Sequence, residues 1–123
     1  MNGLVDCVKR FVTGEEEDFL FNISYDMYFN HDFDKLSKST REIFLETINF
    51  AVDDYREDNE NSSLDNETYR ALIGKYYNKF AEWSGYAKPV KDLPEVDEFD
   101  DFEPTIDQVE GLKQYPKPMI VKR

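Results

Sequence analysis

Apolar residues recur at helical intervals along the first 85 residues, and no proline interrupts them. Leu4, Val8 and Phe11, or equally Val5, Val8 and Val12, keep the three-to-four spacing of one buried face. They predict a first helix over about 4–12, with Gly14 as its stop. A second helix is expected over about 16–29, because Glu16, Glu17 and Asp18 suit the positive end of a helix dipole. Phe19, Ile23 and Met27, joined by Leu20 and Tyr28, form its expected buried stripe. Ser39-Thr40-Arg41-Glu42 fits a capping box, and behind it Phe44, Ile48, Ala51 and Tyr55 predict one continuous third helix. The polar stretch from Glu57 to Ser63 breaks that pattern. Tyr69, Leu72, Tyr76, Phe80 and Trp83 then mark a fourth helix over about 66–83, closed by Ser84-Gly85. Gly74 inside it costs about 1 kcal/mol against Ala and points to a close helix contact. Aromatic stripes at this spacing read as core, and four amphipathic helices with short connections imply an all-α fold, an antiparallel four-helix bundle over residues 1–85.

Residues 86–123 follow other rules. All five prolines of the chain fall here, at 89, 94, 104, 116 and 118. An irregular, Pro-rich acidic extension is expected, with one short helix over about 105–112. Phe99, Phe102, Tyr115, Met119, Ile120 and Val121 are spaced so as to dock it on the bundle.

Composition then narrows the chemistry. Cys7 is the only cysteine and lies among apolar residues, which reads as an inert core thiol. His31 is the only histidine and sits in Asn30-His31-Asp32-Phe33-Asp34, expected to be a polar loop. No second His or Cys stands at ligand spacing, so no metal site is expected. Asp32-Phe33-Asp34 lacks the glycine and terminal Glu of a calcium loop. Asp53 and Asp54 adjoin on a helix and point about 100° apart, which does not suit paired acid–base work. There is no Gly-rich phosphate loop, no Cys-x-x-Cys and no basic stripe. The chain is expected to be no enzyme, to need no cofactor, and to have no catalytic residue. With no apolar run near the ~20 residues of a membrane span and no signal-like start, it is expected to be a soluble, cytoplasmic monomer.

Charge changes the picture most. Asp and Glu total 27 against 15 Lys and Arg, a net of −12. The acids are clustered at 15–34, at 92–110, and at Asp53, Asp54, Glu57, Asp58, Glu60, Asp65 and Glu67, where only Arg56 intervenes. Close like charges cost folding energy that solubility alone does not demand. The pattern disfavours nucleic acid and anionic membranes as partners and favours a basic protein. A surface with carboxylates at phosphate-like density suits the positive cleft of a nuclease.

Residues 1–83 resemble the colicin D-type family of bacterial immunity proteins, which includes immunity proteins of contact-dependent growth inhibition systems. The likeness is carried by Leu4-Val5-Asp6-Cys7-Val8-Lys9-Arg10-Phe11-Val12-Thr13-Gly14 and the acidic start Glu15-Glu16-Glu17-Asp18-Phe19. It continues through Ile43-Phe44-Leu45-Glu46-Thr47-Ile48-Asn49-Phe50-Ala51-Val52-Asp53-Asp54-Tyr55 and Leu64-Asp65-Asn66-Glu67-Thr68-Tyr69-Arg70-Ala71-Leu72. The resemblance implies binding to a cognate nuclease toxin domain, often tRNA-cleaving, by an acidic face that stands in for tRNA phosphates. Carried onto this chain, the toxin-binding residues are Asp53, Asp54, Glu57, Asp58 and Glu60, with Asp65 and Glu67 across the loop. The same physics also fits a phage or plasmid anti-defence protein that mimics nucleic acid to inhibit a restriction or CRISPR nuclease. A helical adaptor for a basic partner is the third reading.

Overall fold

Asn2 opens the first helix, its side-chain oxygen accepting from the Leu4 and Val5 amides at 2.9 and 3.4 Å. In the computed structural model, which describes residues 2–91 and 93, α1 covers Gly3–Val12 and α2 covers Asp18–Asp32. A 3-10 turn, Phe33–Lys35, leads into α3 (Lys38–Glu46), α4 (Ile48–Glu60) and α5 (Asn66–Ser84). The described residues are helical and contain no strand. α5 is the central element: α1, α3 and α4 pack on it, and α2 packs chiefly on α1.

Both stripes read from the first helix are buried, because α1 lies between α2 and α5 and hides a wide face: Leu4, Val5, Cys7, Val8, Phe11 and Val12. Gly14 takes a φ of +89°, the left-handed turn that ends the helix. Arg70 then ties the chain down, donating from Nε to the Phe11 carbonyl at 2.7 Å and from Nη2 to the Glu16 carbonyl at 3.0 Å.

The second helix buries a different face from the one expected. Phe21, Asn22 and Tyr25 point inward, while Phe19 and Ile23 are 63% and 61% exposed, and Met27 and Leu20 are 51% and 40% exposed. Of the expected stripe, Tyr28 packs partly against the core. Apolar residues stand on every side of the segment, among polar ones, so spacing alone allows two stripes. Ring partners decide between them. Phe21 stacks on Phe11 with centroids 4.3 Å apart, and Tyr25, Phe29 and Phe33 run on toward Phe44. Each such pair adds about 0.5–1.5 kcal/mol beyond area burial. The helix also runs on to Asp32, so His31 is an exposed residue of its last turn and not part of a loop.

The segment expected as one third helix is two. Thr47 leaves helical geometry (φ −119°, ψ −86°), and its hydroxyl donates to the Ile43 carbonyl at 2.7 Å. A Ser/Thr hydroxyl bonded back to the preceding turn bends helices. Phe44, Ile48, Ala51 and Tyr55 are nonetheless all buried, because the break redirects the chain without turning the stripe outward. The N-cap is Ser37, accepting from the Thr40 amide, and not Ser39. Leu36 is buried just before it and its carbonyl accepts from Arg41 at 2.8 Å, which anchors the entry two residues earlier.

α5 buries all five aromatic and aliphatic stripe residues expected of it. A Cβ at Gly74 would lie 3.1 Å from Val12 Cγ1 and 2.8 Å from Leu93 Cδ1, so this glycine does mark a close contact. Gly85 closes the helix at φ +69°. Beyond it the chain folds back: Asn78 clamps Val90 through two hydrogen bonds of 2.7 and 3.0 Å, and Tyr86 accepts from the Asn2 amide. Ala87, Val90 and Leu93 pack against the core. The expected helix over 105–112, the anchoring residues from Phe99 to Val121 and the acidic run after 93 lie outside the described residues.

Candidate binding surface

The acids expected to form the site sit on the C-terminal half of α4, the following turn and the start of α5. All seven are exposed. They do not share one face. Asp53, Glu57 and Glu60 recur at i, i+4 and i+7 and form one ridge. Asp54 and Asp58 lie about 100° further round the same helix. Asp65 is the N-cap of α5: its carboxylate accepts from the Thr68 amide at 2.7 Å, and that bond holds its pKa below the usual 3.8. Glu67 stands in the first turn of α5, where the helix dipole favours an acid. Among the described residues, no ion pair involves Asp53, Glu57, Asp58, Glu60 or Glu67.

A buried polar chain holds this region in place. The Tyr69 hydroxyl donates to Asn22 Oδ1 at 2.7 Å, Asn22 Nδ2 donates to Asn59 Oδ1 at 3.1 Å, and Asn59 Nδ2 donates onward to the Leu64 carbonyl and Asn66 Oδ1. Asn59 lies in the middle of the acidic stretch yet is only 7% exposed. Its task is to fix the α4–α5 turn, where Ser62 takes a φ of +69°. Asn59 is not legible in the sequence, because in a polar run that also holds Asn61 nothing marks which Asn turns inward.

The seam between α2 and α4 is closed by Arg56. Its guanidinium pairs with Asp26 at 2.9 Å and lies over the Tyr25 ring, 5.9 Å from the centroid. Next to it the Tyr25 hydroxyl donates to Asn49 Oδ1 at 2.8 Å, and Asn49 Nδ2 reaches Asp53 at 3.4 Å. Burial first, and then the Asp53 charge, push the Tyr25 pKa well above its ordinary value. Burial first, with Glu60 and Asp18 adding to it against the opposing charge of Arg56, likewise raises Tyr69. The Arg56–Asp26 pair and the Tyr25–Asn49 bond set the acidic side of α4 next to α2.

Other candidate chemistry is placed as follows. Cys7 is fully buried, and burial pushes its thiol up to about 11. Among the described residues no three His, Cys, Asp or Glu side chains are grouped to hold a metal ion, and no helix is long and apolar enough to cross a membrane. No known family, curated protein or solved structure matches the chain. What the surface offers is thus read from its own residues: an acidic ridge on α4 beside the exposed apolar stripe of α2.

Proposed function

We propose that this chain is an immunity-type inhibitor, a non-catalytic protein that binds and neutralises a cognate nuclease toxin domain, with tRNA-cleaving toxins the first class to test. The observation that carries the reading is the ridge of Asp53, Glu57 and Glu60. These exposed carboxylates have no ion pair among the described residues and are backed by the Asn22–Asn59–Tyr69 chain. A surface whose shape is already set loses little freedom on binding. Carboxylates along it suit a cleft built for phosphates and speed encounter with a basic partner. The family resemblance of residues 1–83 and the net charge of −12 support the same reading. In it, α3 and α4 act as one bent helix of an antiparallel four-helix bundle, and Asp54, Asp58, Asp65 and Glu67 flank the ridge.

The test is an RNA-cleavage assay with the toxin domain encoded beside this chain's gene, with and without a molar excess of the full-length protein. Suppressed cleavage together with a stable one-to-one complex is the expected result. Unchanged cleavage at saturation removes the immunity reading.

A further inference from the structure

Phe19, Leu20, Ile23 and Met27 lie on the side of α2 opposite Phe21 and Tyr25, which face the core. Their spacing places them on one contiguous surface. Single exposed apolar residues are ordinary, but a large contiguous patch on a folded domain marks an interaction site. The surroundings specify the partner's chemistry. α2 contains no Lys or Arg, and the one cation of α4, Arg56, is already bound to Asp26. Arg56 of α4 holds Asp26 of α2 at 2.9 Å, and Tyr25 of α2 bonds Asn49, whose amide reaches Asp53, so acids of both helices border one seam.

We propose that the outer face of α2, edged by the acidic ridge of α4, is a docking surface for a protein presenting apolar side chains ringed by Lys and Arg. An apolar centre that excludes water sets the lifetime of such a complex, while the charged rim sets approach and orientation. Two other occupants fit less well by charge. A second copy of this chain would bring acids against acids. The chain's own residues 94–123 carry eight Asp and Glu against four Lys and Arg, so that segment shares the sign of the rim. The inference takes from the proposed function only the basic character of the partner, and its test uses no nuclease.

The probe is a synthetic amphipathic helix of Leu and Lys, compared with one of Ser and Lys carrying the same charge and one of Leu and Glu. Binding to the full-length, isotope-labelled protein is followed by amide shifts. The Leu/Lys helix is expected to bind at least about tenfold tighter than either control and to move resonances of residues 18–30 most. I23S/M27S, whose changed side chains are exposed and whose fold is checked by circular dichroism, is expected to lose that tenfold. Equal binding of the Ser/Lys helix, or shifts centred elsewhere, overturns the proposal. A photo-crosslinker at position 23 of the full-length chain gives an independent reading. Capture of the Leu/Lys helix supports the surface, whereas linkage to a second copy or to residues 94–123 overturns it. Loss of nuclease inhibition as such does not bear on this result, so the two readings fail separately.

Discussion

Asp65 and Asn59 sit within a few residues of each other and do unlike work. Asp65 is exposed and charged, and its carboxylate holds the Thr68 amide at the start of α5. Because its folded pKa lies below 3.8, its charge contributes stability above that value, and the contribution fades as pH falls through the lower folded pKa. D65N keeps a capping oxygen but cannot titrate. The stability advantage of the native protein over D65N, read from urea midpoints, should therefore be constant near neutrality and shrink below about pH 4; a gap that stays constant down to pH 2 would contradict the assignment. Asn59 is buried, and both its Nδ2 hydrogens and its Oδ1 have partners. N59A leaves Asn22 Nδ2 and the Leu64 carbonyl without partners, and urea unfolding should show a loss of about 1–3 kcal/mol. A loss below about 0.5 kcal/mol would mean the chain of amides carries no weight. Cys7, with its thiol near 11, should react with a thiol reagent at pH 8 only as fast as the domain opens.

At the level of elements, α2 separates packing from exposure most clearly. F21A removes a ring stacked at 4.3 Å on Phe11 and should cost about 3–5 kcal/mol. I23S, on the opposite face, should change the unfolding free energy by less than about 0.5 kcal/mol. Thermal or urea unfolding of the two variants decides which face is core, and similar losses at both would return α2 to the stripe its spacing first suggested. The break at Thr47 was not legible for a related reason. A hydrophobic stripe that continues across a bend keeps its spacing, and neither Pro nor Gly marks the place. The break expected over 57–63 falls in the right place but starts too early: α4 continues to Glu60, and the turn itself, with Ser62 in αL, follows it.

For the whole molecule, charge and its location matter separately. The net charge of −12 is a property of composition, yet only some of the acids stand on the ridge beside α2. If the proposed toxin partner is bound, reversing Asp53 and Glu57 to Lys should slow that association by at least about tenfold at low salt, with a smaller effect at high ionic strength. The same reversal at Glu15 and Glu17 should change the association rate far less. Stopped-flow kinetics at two salt concentrations separate the cases, and equal slowing would show that net charge alone steers the encounter.

Helix content, three of the four apolar stripes and the stop at Gly14 were determined by the sequence, because local spacing and glycine geometry act over a few residues. So was the burial of Cys7, which lies on the apolar face of α1. The inward face of α2, the inward turn of Asn59 and the pairing of Arg56 across to α2 were decided only by tertiary structure. Each depends on partners distant in the chain: Phe11 and Phe44 for the rings, Asn22 and Tyr69 for the amide, Asp26 for Arg56. When apolar residues stand on every side of a segment, its own spacing leaves the choice of face open, and the rings and amides it meets across the core make that choice.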